Sequence, residues 1–279
     1  MSSSVQLVEC PRDAIQGIHT FIPTTKKIAY INDLIASDLF EYIDCGSFVS
    51  PKAVPQMQDT ADVLAGIEKV NNTKLLAIVA NERGAEQAIE QEKIDFLGYP
   101  FSISETFQQR NTNSSIEDSF ERVKSIADKT MNSSKELVVY ISMAFGNPYG
   151  DHWHEEMVLD WIEKLQYLGI NRFSIADTTS EASEDDVKSL FLSLNKDFPT
   201  LDFSAHLHSR IESALLKIDA AFHAGCRRFE GAFLGFGGCP FAQDDLVGNI
   251  PMELLLDRFQ RGTTESRKQL MQGFEELIR

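Results

Sequence analysis

Eight short apolar runs punctuate the chain, at residues 5–10, 42–45, 75–79, 96–97, 137–142, 172–176, 201–205 and 227–233. Most are separated by stretches of helical period. Ile28, Ile31, Leu34 and Ile35 form one stripe at 3.6-residue spacing, and Val158, Ile162, Leu165 and Leu168 form another. Ser183-Glu184-Asp185-Asp186 ahead of Val187 supplies a cap and negative charge at a helix start, and Ser209 is placed to do the same before residues 211–224. Eight strand-like runs alternating with helices over 279 residues predict a (β/α)8 barrel. An open doubly wound sheet is the alternative, because only the strand count separates the two and the run at 96–97 is weak. No Gly-rich dinucleotide fingerprint follows the first run.

The chain is expected to form one barrel domain over 1–279, with 250–279 a helical extension packed on it. Hydrophobic residues make up 43% of the sequence, enough for a large core. With 42 acidic against 26 basic residues the net charge is -16, which opposes long-range attraction to nucleic acid or anionic lipid. No apolar stretch approaches the roughly 20 residues that cross a bilayer. The four cysteines, Cys10, Cys45, Cys226 and Cys239, lie far apart with no secretory segment ahead of them. Reduced thiols in a cytoplasm are therefore expected, rather than a disulfide framework or a zinc knuckle.

In a barrel of this kind the chemistry sits at the carboxyl ends of the strands. Directly after the first run comes Pro11-Arg12-Asp13, suited to an anion and a divalent cation respectively, or to a surface salt bridge. The second run carries Asp44 to its end, either as a site carboxylate or as an acceptor for loop N–H groups. The long loop that follows, with Ser50-Pro51-Lys52 and Pro55-Gln56-Met57, suits a pocket wall. His206-x-His208 closes the seventh run at i,i+2 spacing, so both imidazoles share one side of a continuing strand and can bind one metal. A second pair, His152-x-His154, sits in a polar stretch opening a helix, where such residues diverge by about 200 degrees.

Two imidazoles alone suit zinc, copper or nickel. With Asp13 and an amide oxygen added, the set suits Mg²⁺ or Mn²⁺. Asn249 is a candidate for that amide, and it is equally placed to cap a helix starting near Pro251. Cys239, framed in Gly237-Gly238-Cys239-Pro240, is the one cysteine in a loop able to approach a ligand closely and move a proton. No cysteine–histidine proximity in sequence indicates a protease-like nucleophile.

Taken together these segments resemble the 3-hydroxy-3-methylglutaryl-CoA lyase family, metal-dependent carbon–carbon lyases on α/β barrels. The resemblance rests on Val8-Glu9-Cys10-Pro11-Arg12-Asp13, on the stretch from Asp44 through Ser47-Phe48-Val49-Ser50-Pro51-Lys52 to Met57, on His206-Leu207-His208 and on Gly235-Phe236-Gly237-Gly238-Cys239-Pro240. Weaker similarity lies at 113–120 and 145–149, so nearly the whole chain is covered. It implies that Asp13, His206, His208 and Asn249 bind a catalytic Mg²⁺ or Mn²⁺, that Arg12 lies beside the thioester carbonyl, that Asp44 is a catalytic acid–base group and that Cys239 transfers a proton from a mobile loop. It also implies an acyl-CoA substrate, a possible homodimer, and a place in leucine catabolism and ketone-body metabolism.

The chain departs from the family pattern at four places. Asp44 stands where Glu is common, and Ala14-Ile15 where Gly-Leu is usual. Ser209-Arg210 replaces an Asp-Thr pair after the histidines, removing a carboxylate and adding a cation. The segment 243–249 is one residue longer than usual. The expected reaction is cleavage of 3-hydroxy-3-methylglutaryl-CoA to acetyl-CoA and acetoacetate. The alternatives are a lyase for another branched 3-hydroxyacyl-CoA, a related enzyme condensing acyl-CoA with a 2-oxo acid, and an inactive barrel that only binds a CoA-like ligand. Such condensing enzymes commonly carry further C-terminal domains, for which 279 residues leave no room.

Overall fold

The computed structural model describes residues 4–238 and 247–279. Eight strands run β1 Gln6–Glu9, β2 Tyr42–Ser47, β3 Lys74–Ile78, β4 Phe96–Ser102, β5 Glu136–Ser142, β6 Arg172–Asp177, β7 Asp202–Leu207 and β8 Arg228–Gly231. Every neighbouring pair is parallel, and β8 pairs with β1, so the sheet closes in sequence order and the open-sheet alternative falls. The helices are α1 Pro11–Ile15, α2 Thr24–Ala36, α3 Thr60–Gly66, α4 Glu82–Ile89, α5 Glu105–Thr112, α6 Ile116–Met131, α7 Glu155–Gln166, α8 Glu184–Asp197, α9 Ile211–His223, α10 Met252–Arg258 and α11 Thr264–Ile278. The last two follow β8 as the helical extension, and α11 packs on α2.

Each strand-like run overlaps a strand, with ends that shift by one or two residues and one larger change of extent. The weak run at 96–97 is the start of a strand of seven residues, hidden in the sequence by Gly98 and Pro100. Pro100 has no N–H to give, yet it stays in register opposite Tyr140. The 28–35 stripe lies within α2 and buries Ile31, Leu34 and Ile35; the other stripe lies along α7, with Leu168 just beyond its end. Ser183 caps α8 in a reciprocal capping box with Asp186, as its sequence predicts. Ser209 does not cap α9. The flanking position is Arg210, without a side-chain cap, and the Ser209 hydroxyl turns instead to the Arg210 carbonyl and Ser213.

Side chains alternate across each strand, which divides the core in two. Leu7, Ile43, Phe173, Ile175, Phe203, Ala205 and Phe229 belong to the large cluster between sheet and helices. Leu76, Ile78, Phe96, Val138 and Tyr140 form a small separate cluster contributed by β3, β4 and β5. On β6, β7 and β8 most positions that alternate with the outer core are polar: Ser174, Ser204 and His206 are buried and each bonds the buried Glu230, while Ala176 is the apolar exception. The barrel interior is thus apolar on one side and polar on the other, and the polar side rises to the carboxyl ends of the strands. Near the opposite end Arg172 and Arg228 both meet the Asp202 carboxylate, closing the barrel floor.

Candidate metal centre and active site

Strand β1 ends where Pro11 opens the short helix α1, and that turn presents Arg12 and Asp13 inward, each less than a tenth exposed. Proline suits the first helical position because its missing N–H is not needed there. Strand β7 carries His206 within its span and His208 just past its end, with ring centroids 5.2 Å apart. Ligand atoms of Asp13, His206 and His208 all lie within 4.8 Å of one another, so the first and seventh strands deliver their side chains to one point. The exposed pair His152 and His154 joins no such cluster among the described residues; the two rings meet edge to face, and His154 bonds Glu156.

Two of the three groups, Asp13 and His208, are held in the forms that a divalent cation needs. Burial would raise the Asp13 carboxyl, but Arg12 and the two imidazoles outweigh it and hold it at about 2. Burial and the neighbouring His206 bring His208 down to about 4, leaving a neutral imidazole. Its Nδ1 lies 3.0 Å from the Val247 carbonyl, which fixes the proton there and leaves the Nε2 lone pair for a ligand. His206 Nδ1 lies 2.9 Å from Glu230 Oε2, with the same consequence for its Nε2. Burial works against an imidazolium at His206, yet the Glu230 bond and charge raise its pKa on balance. Glu230 itself, despite burial, is held near 2 by His206 and by the Ser204 and Ser174 hydroxyls at 2.5 and 2.7 Å.

Asn249 reaches the same place from beyond β8. It forms an isolated bridge to His208, and its Nδ2 donates to Asp13 Oδ2 at 2.6 Å and to the Phe236 carbonyl at 2.9 Å. The helix-capping role is therefore not taken: Pro251 precedes α10 with no side-chain cap. With the amide nitrogen committed twice, the oxygen is the atom left for a cation.

Arg12 joins both carboxylates. Its Nε and Nη2 donate to Asp44 Oδ2 at 2.9 and 2.5 Å, and its Nη1 to Asp13 Oδ1 at 3.1 Å. Asp44 thus accepts from a side chain rather than from loop N–H groups. Burial opposes the charge on Arg12, and the two aspartates more than offset it, keeping the guanidinium firmly protonated. Burial pushes Asp44 up to about 6 even against the pull of Arg12, and its Oδ1 is buried with no hydrogen-bond partner. The cavity above the cluster, about 140 Å³, is lined by Arg12, Asp13, Tyr140, Thr178, His206 and His208 among others, and not by Asp44. Lys52 is exposed, while Ala53 and Val54 of the same loop reach the cavity wall.

Residues 5–272 match the family model described as HMGL-like. The chain belongs to the HMGL-like family. A 3-hydroxy-3-isohexenylglutaryl-CoA/hydroxy-methylglutaryl-CoA lyase of Pseudomonas aeruginosa is 33% identical over 257 residues, covering 92% of this chain and 85% of that protein. A hydroxymethylglutaryl-CoA lyase of Bacillus subtilis is 33% identical over 266 residues, covering 88% and 87%. Among solved structures, an HMG-CoA lyase from Acinetobacter baumannii in complex with coenzyme A and 3-methylmalate superposes with a TM-score of 0.90 at 30% identity, covering 99% of this chain and 91% of that one. Membership makes this HMGL-like protein a carbon–carbon lyase, and its Asp13, His206 and His208 cluster is of the kind that could hold a divalent cation.

Three members of the site escape a reading of sequence. Glu230, which orients His206, is a lone acid inside an apolar run, and that isolation was the available signal. Gln16 donates to Asp13 Oδ1 at 2.8 Å and accepts from Arg12 at 3.0 Å, one helical turn beyond them. Lys217 lies buried in the middle of α9, ion-paired to Asp177. Cys239 lies outside the described residues. Cys10, Cys45 and Cys226 are buried free thiols. Among the described residues no helix is long and apolar enough to cross a membrane.

Proposed function

We propose that this HMGL-like protein cleaves 3-hydroxy-3-methylglutaryl-CoA to acetyl-CoA and acetoacetate. What carries the reading is the convergence of Asp13, His206 and His208 beside a buried, permanently charged Arg12 at the mouth of the barrel. A divalent cation, Mg²⁺ or Mn²⁺, held by Asp13, His206, His208 and Asn249 would supply Lewis acidity that lowers the pKa of the substrate's tertiary hydroxyl. The hydroxyl proton then leaves toward Asp44. Because Asp44 is off the cavity wall, it takes that proton through an intervening water, and with a pKa of about 6 it is mostly ionised at neutral pH.

Loss of the proton turns the alkoxide carbon into a ketone as the bond between C2 and C3 breaks. The electron pair passes to C2 and yields the enolate of acetyl-CoA. Arg12, clamped by Asp44 and Asp13, stabilises the negative charge developing on the thioester oxygen without reorganising. Cys239 returns a proton to C2. The four metal ligands, Arg12, Asp44 and Cys239 act in one unit spanning 1–279, which we place in the cytoplasm and expect to pair as a homodimer, in leucine catabolism and ketone-body formation.

The test is a coupled assay of the purified protein with Mg²⁺ or Mn²⁺ and a panel of branched 3-hydroxyacyl thioesters, following acetyl-CoA and the released keto acid. Turnover of 3-hydroxy-3-methylglutaryl-CoA is expected. A second reading, favoured by the name of the Pseudomonas relative, is a longer substituent at C3, and preference for such a thioester would move the assignment there. Metal binding without turnover of any thioester would refute both.

A further inference from the structure

The structure assigns Lys217 as a positioning residue for the proposed metal ligand His208, an inference that rests on the metal reading above. Lys217 sits on the inner face of α9, 3% exposed, and its ammonium group has three acceptors: Asp177 Oδ2 at 2.7 Å, Ser180 Oγ at 3.1 Å and the His208 carbonyl at 3.3 Å. An ammonium has three protons to donate, so each is committed. Asp177, at the end of β6, takes the other side of the same residue, because its backbone carbonyl accepts the His208 N–H at 3.2 Å. The His208 C=O is thus tied to the ammonium of a buried ion pair, and its N–H to the backbone carbonyl of the paired aspartate.

The tie matters because His208 is the first residue past β7: its N–H still takes the last ladder bond, to the Asp177 carbonyl, but its C=O is left to Lys217. Its ring is held by Val247 and its backbone by Asp177 and Lys217, and together these determine where Nε2 points. Lys217 also binds the Asp177-to-Ser180 turn, whose Thr178 lines the cavity, so α9 locks two walls of the site at once. Arg210, the cation that the sequence sets nearest the histidine pair, is exposed. The cation that acts on His208 comes instead from two helical turns further along.

A buried ion pair is rarely the most stable filling for its space, since apolar residues of similar volume are often neutral or better. A purely structural Lys217 would therefore be replaceable once Asp177 is neutralised. The experiment compares the full-length wild type, Lys217→Met and the double variant Asp177→Asn/Lys217→Met by Mn²⁺ titration in a calorimeter and by metal-free thermal unfolding. The single variant leaves Asp177 unpaired and is expected to melt lower. The double variant removes the uncompensated charge, while the amide introduced by Asp177→Asn keeps an oxygen for the Glu181 N–H, so it separates folding from positioning.

In the double variant the Mn²⁺ dissociation constant is expected to rise about tenfold, the ordinary cost of losing an outer hydrogen-bond partner of a metal ligand. Unchanged Mn²⁺ affinity in a folded double variant would overturn the role of Lys217 and leave the proposed function standing. Absence of Mn²⁺ binding by the wild type would instead overturn the metal reading, and this inference with it.

Discussion

Glu230 Oε2 lies 2.9 Å from His206 Nδ1, at the point where the buried polar side of the barrel meets the metal cluster. The carboxylate keeps its charge in that interior, against burial, because His206 meets one oxygen while Ser204 and Ser174 donate to the other. Glu230→Ala would leave His206 Nδ1 without a partner and free the ring to turn. Mn²⁺ affinity is expected to fall about 10- to 100-fold, and less in Glu230→Gln, whose amide oxygen still accepts from Nδ1. Calorimetric titration of the two variants checks the order; equal losses would deny the orienting role.

His206→Ala removes a ligand rather than its support. The purified variant is expected to retain far less metal than the wild type at equal Mn²⁺ exposure, read by elemental analysis. In the wild type a chelator should abolish thioester cleavage, and added Mg²⁺ or Mn²⁺ should restore it. Full metal occupancy in the variant would remove His206 from the ligand set.

Asp44 sets a pH dependence whose sign follows from its role. A base must be ionised, and burial has raised this carboxyl to about 6, so kcat/KM is expected to rise with pH through that value and level off above it. Protons also compete for the imidazoles, and metal occupancy should be confirmed by electron paramagnetic resonance at each pH. Asp44→Asn is expected to lose about 100-fold or more in kcat and the acidic limb with it. A limb near 6 that persists in the variant would belong to another group.

The barrel itself was legible because burial of both faces of a parallel sheet writes each strand as a short apolar run. Strand β4 was half hidden, since Gly98 and Pro100 are poor strand formers held there by pairing with β5. His206 and His208 were legible through their spacing, which puts both on one face. Asn249 allowed two readings in sequence, and only tertiary placement beside Asp13 separates them. Glu230 and Lys217 carry no local motif; the groups they pair with, His206 and Asp177, lie on β7 and β6, tens of residues away. Asp44 reads in sequence as a strand-end carboxylate, but β2 runs on to Ser47 and leaves it within the strand, clamped by Arg12, 32 residues distant, and off the cavity wall.

Cys239→Ser bears on the proton-transfer step alone. Serine preserves size but is a far weaker acid than a thiol, so kcat should drop by about 100-fold while Mn²⁺ affinity stays at the wild-type level. Unchanged turnover would take Cys239 out of the chemical step, and a parallel loss of metal would make its role structural.

Gly237 tests how closely the segment after β8 must approach the metal cluster. Its φ of +101° is a conformation that side chains rarely adopt, and a Cβ built there would lie 2.6 Å from Asn249 Nδ2 and 2.9 Å from the Asp13 carbonyl. The backbone at Asp13 is anchored in α1, so the strain in Gly237→Ala must be relieved by displacing Asn249 or the 236–238 segment. Either shift breaks the bonds that hold the Asn249 amide between Asp13 and the Phe236 carbonyl. The variant is therefore expected to bind Mn²⁺ more weakly by about tenfold and to lose activity in proportion at limiting metal, with partial recovery as metal is raised. Gly17→Ala, where nothing lies within 4 Å of the added carbon, serves as the control and should leave metal affinity unchanged. Wild-type affinity in Gly237→Ala would mean that Asn249 does not contribute to holding the cation.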